Sequence, residues 1–196
     1  PRPDTETLVD WALELLAPGA PARVLDLGTG SGAVALAIAQ ARPQTDVTAT
    51  DTSASALAVA RGNAERLGLH LALLRGDWYA PLGPQHFDLI VSNPPYIAAG
   101  DAHLTALRHE PEQALVSGPD GLHDLRRIIA GAHAHLRPGG WLLLEHGWDQ
   151  AAAVRELLKN AGFSQVQSRR DLADHERCSG GTAAPGGTGM GPGAPT

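Results

Sequence analysis

The chain has 196 residues, 43% of them hydrophobic, and a net charge of -6, which allows one well-filled core and argues against affinity resting on nucleic-acid phosphates. Its one cysteine, Cys178, excludes an internal disulfide and fits a reducing compartment. No apolar run reaches membrane-spanning length and no signal peptide opens the chain, so a cytoplasmic, monomeric single domain is expected; the start at Pro1, without methionine, implies missing upstream sequence.

In chain order, Asp4 or Thr5 caps a first helix with Leu8, Val9, Leu13, Leu15 and Leu16 on its apolar side, closed by Pro18-Gly19. Residues 23–27 read as a short strand, 28–32 as a glycine-rich turn, and 33–41 as a small-residue helix ending before Pro43. A second strand, 46–50, delivers Asp51 at its carboxyl end, and Ser53 or Ser55 caps a helix that runs to Leu67 and stops at Gly68. The third strand is 69–74, the loop 76–79 follows, and the fourth strand is 87–92. Residues 100–121 read mostly as loop. Asp120 caps a helix over 122–136, and Pro138-Gly139-Gly140 turns into a strand at 141–145. A helix over 149–161 and a strand over 164–168 follow. This alternation predicts a Rossmann-like α/β fold: a mostly parallel, doubly wound sheet with helices on both faces. From Cys178 the composition turns to Gly, Pro, Ala, Ser and Thr, so 178–196 is expected as a disordered tail behind a domain of residues 1–177.

The most specific stretch is Ile90-Val91-Ser92-Asn93-Pro94-Pro95-Tyr96. Its apolar start suits a strand covered on both faces, and the prolines end that strand and hold the next backbone extended. The result is a stiff lip at the carboxyl end of a strand, where open α/β sheets place their ligands. Asn93 offers a carbonyl acceptor but no titratable proton, and the Pro94 carbonyl is fixed by the rings around it. Two acceptors held so can grip both hydrogens of a planar NH₂ group, with Tyr96 stacked on its plane. A bare Asn-Pro pair would be read as a turn; Asn-Pro-Pro-Tyr directly after a buried run is much more specific.

Asp26-Leu27-Gly28-Thr29-Gly30-Ser31-Gly32 follows the first strand and opens a helix. Glycines allow close backbone approach, and the helix start presents free N–H groups. Gly28, Gly30 and Ala33 also match a dinucleotide fingerprint with Asp51 as the ribose acid, so the loop alone leaves NAD and S-adenosylmethionine open. Three features favour the latter. Gly32 adds a third close-approach point; Asp26 would repel a pyrophosphate but suits an amino group and a sulfonium. Asp77-Trp78 offers an acceptor for an adenine amino group and a ring beside it, although the pair alone would be an Asx turn with a half-buried aromatic.

The nine histidines carry no metal-ligand pattern. His133 and His135 point to different helix faces, and His103, His109 and His123 lack carboxylate or cysteine partners at ligand spacing. His146 is read as structural. Glu110-Pro111 and Gly118-Pro119-Asp120-Gly121 shape either the wall of a substrate cleft or simply a turn and cap.

With both sites in view, the chain resembles the HemK family of class I methyltransferases. The matching residues are Pro1-Arg2-Pro3-Asp4-Thr5-Glu6, residues 25–32, Asp77-Trp78, residues 92–97, Leu-Leu-Leu-Glu-His-Gly-Trp at 142–148, Arg170-Asp171 and His175-Glu176-Arg177. The resemblance implies methyl transfer from S-adenosylmethionine to the side-chain amide nitrogen of the glutamine in the Gly-Gly-Gln loop of class 1 peptide chain release factors. It further implies cofactor binding by residues 28–32, Asp51, Trp78 and Asn93, and glutamine binding by Asn93, Pro94, Pro95 and Tyr96. Two departures from the family pattern are expected. The family's small helical amino-terminal domain has no counterpart in these residues, and its apolar last strand is replaced by Cys178-Ser179-Gly180-Gly181, so a missing or degraded final antiparallel strand is expected.

Asn93 and Pro94 are thus expected to position the acceptor nitrogen, with Tyr96 over it, and no general base is needed. Two other readings stay open. One is methylation of an exocyclic amine on DNA or RNA, against which the acidic charge counts; the other is a non-catalytic nucleoside-binding module. An NAD-dependent oxidoreductase is weaker still, since no hydride-transfer partner is apparent.

Overall fold

The computed structural model describes residues 3–99 and 116–184. The chain runs α1 (Pro3–Leu15), β1 (Ala22–Leu27), α2 (Ala33–Ala41), β2 (Thr45–Asp51), α3 (Ala54–Leu67), β3 (Ala72–Arg75), β4 (Phe87–Ser92), α4 (His123–Ala132), β5 (Leu136–Glu145), α5 (Ala151–Asn160), β6 (Ser164–Arg170) and β7 (Glu176–Thr182). The strands form one seven-stranded sheet in the order β3-β2-β1-β4-β5-β7-β6. The first five are parallel, and β7 runs antiparallel to both β5 and β6.

The central strands are apolar on both sides because both sides are covered. Val24, Val91 and Leu143 face a core filled by Leu8, Trp11 and Ala12 of α1 and Ile38 of α2. Their chain neighbours Leu25, Ile90 and Leu142 face the opposite core, with Ile128 of α4 and Val154 and Leu158 of α5. Successive strand residues point to opposite faces, so these doublets feed both cores at once. Ser53 caps α3 as expected, its Oγ accepting from the Ala56 N–H at 3.1 Å, and Gly68 ends the helix at φ 65.

Two expectations are corrected. The segment assigned to a disordered tail from Cys178 contains β7, so the final antiparallel strand is present, not missing or degraded. Its residues are buried from Cys178 to Thr182. The strand lies between two partners, so its backbone groups are satisfied by both ladders even though its side chains carry little apolar surface. Neighbours occupy the space its glycines leave: a Cβ on Gly180 would meet the Leu142 carbonyl and Leu143 Cδ2 at 2.6 Å, and one on Gly181 would meet Phe163 Cβ at 3.0 Å.

The second correction is at the junction of α4 and β5. The helix expected to reach Leu136 ends at Ala132, and β5 starts at Leu136, opposite Phe87 of β4. The side chains between are committed elsewhere. His133 bonds the Ala161 carbonyl at 2.8 Å and stacks on Phe163, and His135 stacks on Tyr79 with ring centroids 4.9 Å apart. At the other end of α4, Asp120 accepts from the Leu122 N–H at 3.1 Å, and Ser117 Oγ accepts from Asp124 N–H at 2.7 Å.

Candidate active site

Strand register determines what meets at the site. Leu27 of β1 lies opposite Thr50 of β2 and Ser92 of β4. Asp51 lies opposite Arg75 of β3, and Ser92 opposite Leu144 of β5. The loops that leave these strands therefore emerge along one edge of the sheet. Residues 28–32, Asp51, Asp77-Trp78 and the lip 93–96 are brought together there, as open parallel sheets dictate.

Asp51 organises the glycine turn. Its Oδ2 accepts the Gly30 N–H at 2.9 Å and its Oδ1 accepts the Ser53 N–H at 2.8 Å. Gly28, Gly30 and Gly32 all hold positive φ, at 67, 56 and 82, where side-chain-bearing residues are strained. A Cβ on Gly28 would lie 2.9 Å from Trp78 Cζ3 and one on Gly32 3.1 Å from Ala60 Cβ, whereas nothing lies within 4 Å of one on Gly30. The outer two glycines let the turn close on its neighbours, and the middle one faces open space. Ser31 is exposed, and its carbonyl accepts from the Asn63 side chain at 3.0 Å.

Asp26 sits beneath the turn, 1% exposed. Thr29 Oγ1 donates to its Oδ2 at 2.6 Å. Burial pushes its carboxyl from 3.8 up to about 7, against the opposing hydrogen bonds from Thr29 and the Ala35 backbone. Trp78 has φ 45, its carbonyl accepts from Thr50 Oγ1 at 3.0 Å, and its indole N–H is buried with no hydrogen-bond partner among the described residues. Asp77 is exposed and paired with Arg127 of α4.

The lip is fixed at its root by Ser92, whose buried Oγ donates to the Leu27 carbonyl at 2.7 Å. Pro94 is buried, while Asn93, Pro95 and Tyr96 are half-buried. Past the lip, the Ser117 N–H donates to the Ile97 carbonyl at 2.9 Å and the Ala99 N–H to the Gly118 carbonyl at 2.9 Å. The residue that holds the lip from the side, Gln150, is not among those the sequence marks: its Nε2 donates to the Tyr96 carbonyl at 2.9 Å, and its Oε1 accepts the Gly147 N–H at 2.8 Å. The local signal is slight: a Gln at the N-cap of α5, three residues after the backbone N–H it satisfies.

His146 is fully buried, and burial lowers its pKa. Its Nδ1 donates to the Gly147 carbonyl at 2.8 Å, which leaves Nε2 to accept from Ser179 Oγ at 2.7 Å. Ser179 meets Ser168 Oγ at 2.7 Å, and Arg155 donates to that oxygen at 2.6 Å. A donor-only guanidinium at one end and an acceptor-only carbonyl at the other run every hydrogen bond in one direction, with a neutral imidazole between. That is a structural role, as the sequence suggests. Among the described residues no group of three or more His, Cys, Asp or Glu is placed to hold a metal, and no helix is long and apolar enough to cross a membrane. His103, His109 and Glu110-Pro111 lie outside the described residues.

An acid whose oxygens each take one backbone N–H, open space over Gly30 and an unpartnered indole N–H fit a nucleoside with hydroxyl and amino groups. With the parallel sheet and its antiparallel final pair, they define an S-adenosylmethionine-dependent methyltransferase of the Rossmann-like class.

The comparisons narrow this. Residues 5–121 match the family model described as methyltransferase small domain. A release factor glutamine methyltransferase of Bordetella pertussis is 60% identical over 184 residues, covering 92% of this chain and 68% of its own length. The solved structure of a release-factor-specific protein-(glutamine-N5) methyltransferase from Alicyclobacillus acidocaldarius is 34% identical, with a TM-score of 0.58 and 94% of both chains covered. A methyltransferase from Pyrococcus furiosus superposes with a TM-score of 0.70 over 94% of this chain and 84% of its own, at 21% identity, a likeness of fold. The chain belongs to the release factor glutamine methyltransferase family.

Proposed function

We propose that the chain methylates the side-chain amide nitrogen (N5) of the glutamine in the Gly-Gly-Gln loop of class 1 release factors, as a monomer in the cytoplasm, and that residues 93–96 hold that glutamine. The observation that carries the reading is register: Ser92 stands opposite Leu27, so Asn93 leaves β4 beside the turn that leaves β1. S-adenosylmethionine supplies a methyl group activated by a positively charged sulfur.

The chain's own residues have separate tasks. The backbone of residues 28–32 accommodates the cofactor, with Thr29 and Asp26 holding the turn from beneath and Ser31 at its exposed rim. The Asp51 carboxylate takes the ribose hydroxyls, and Asp77 and Trp78 border the adenine. Asn93 Oδ1 and the Pro94 carbonyl accept the two hydrogens of the substrate amide, and Tyr96 packs over its plane. An amide nitrogen is a poor nucleophile because its lone pair is delocalised. Two fixed acceptors orient it and favour the positive charge that develops there. No side chain at the lip is needed to remove a proton beforehand.

The test is transfer of labelled methyl to a full-length release factor and to the same factor with its Gly-Gly-Gln glutamine replaced by alanine. Label on the first and not the second is expected. Equal labelling of both, or labelling of nucleic acid instead, contradicts the reading.

A further inference from the structure

We infer that Gln150 is a positioning residue for the methyl-transfer reaction, holding the Asn-Pro-Pro-Tyr lip at the height its acceptors require. The inference rests on the proposed role of the lip. Both ends of one side-chain amide are engaged: Nε2 donates to the Tyr96 carbonyl at 2.9 Å and Oε1 accepts from Gly147 N–H at 2.8 Å. The residue is the N-cap of α5, and its own N–H donates to the Gly147 carbonyl at 3.0 Å. Gln150 is therefore closed onto the loop behind β5 by backbone and side chain together, leaving its NH₂ to reach the lip.

The place of contact is confined on the far side too. Gly121 lies against the same carbonyl, so close that a Cβ there would sit 2.3 Å from the Tyr96 oxygen and 2.8 Å from Gln150 Nε2. The loop bearing Gln150 is anchored in turn, since Gly147 is gripped through His146, Ser179 and Ser168 down to Arg155. Hydrogen bonds thus run from the last pair of strands to the backbone of Tyr96. Proline rings stiffen the lip internally but cannot set its position relative to the glycine turn; an amide that bridges two backbones can.

Gln150→Glu separates this role from mere structure. A carboxylate keeps the acceptor for Gly147 but turns a bare oxygen toward the Tyr96 carbonyl where a donor stood. With a full-length release factor as substrate, we expect kcat to fall at least about 10-fold. Affinity for S-adenosylmethionine, read by calorimetry, should stay within about twofold, because the side-chain hydrogen bonds of Gln150 go to Tyr96 and Gly147 and not to residues 28–32. Gln150→Met, which removes both hydrogen bonds, should show the same split. Wild-type kcat in Gln150→Glu overturns the inference. So does a parallel loss of cofactor affinity and melting temperature, which marks a general structural role. Absence of turnover by the unmodified chain would instead refute the proposed function, and this inference with it.

Discussion

Asp26 shows at the scale of one residue how burial beneath the glycine turn couples fold stability to pH. Its buried carboxyl is pushed from 3.8 up to about 7, so the folded state holds a proton that the unfolded state has released. Stability from this group is complete below about pH 4, falls as pH rises, and is gone above about pH 7. A rise from 3.8 to about 7, at about 1.36 kcal/mol per pH unit, is at most about 4 kcal/mol. Asp26→Asn cannot ionise but still accepts from Thr29. Denaturant unfolding at pH 5 and pH 7.5 should show the wild type losing more stability than the variant between those conditions. Parallel losses in both would contradict this account.

Residues differ in how far they announce themselves. The place of Asn93 is legible because two prolines directly after a buried β run end the strand there. The acids and glycines of the first turn are legible from spacing alone. Gln150 is not: its partner carbonyl lies 54 positions away, and nothing in Gly147-Trp148-Asp149-Gln150 says which backbone the free NH₂ will meet. Its place after a strand suits Asp77 to accept from an adenine amino group; its ion pair with Arg127 joins positions 50 apart and leaves no local trace.

At the scale of elements, β7 is the instructive case. Cys178-Ser179-Gly180-Gly181 has neither alternating hydrophobicity nor β propensity, and composition reads it as tail. It is a strand because β5 and β6 stand on either side with ladders to complete, and because Leu143 and Trp11 on one face and Phe163 and Val166 on the other fill what its glycines leave. Tertiary context overrides local preference there. Gly180→Val should therefore destabilise the fold despite its higher β propensity. Its Cβ would meet the Leu142 carbonyl and Leu143 Cδ2 at 2.6 Å, and overpacking of this kind costs roughly 1–3 kcal/mol. A drop of roughly 2–12 °C in melting temperature is expected; an unchanged or higher midpoint would contradict the packing described. The α4–β5 boundary departs from the expected one for a related reason, since His133 and His135 are held by aromatic partners outside α4.

At the scale of the whole molecule, the sheet order puts chemistry on one edge and stability on two faces. Paired core residues such as Leu25 with Val24 and Ile90 with Val91 hold β1 and β4 in register, and that register places the glycine turn beside the lip. This much follows from alternating strand and helix signals, because parallel strands require crossovers and covered faces. The antiparallel insertion of β7 does not follow from them. It reaches the lip through Ser179, His146 and Gln150, so the part of the fold least visible in the sequence supports the part most visible.

The central claim is that Asn93 and its prolines grip a glutamine amide. Mass-spectrometric mapping of a release factor incubated with S-adenosylmethionine and either the wild-type chain or Asn93→Ala tests it most directly. The account predicts one methyl group, on the Gly-Gly-Gln glutamine, formed about 100-fold more slowly by the variant, which keeps much of its cofactor binding. Methylation elsewhere, or at an undiminished rate by Asn93→Ala, would contradict it.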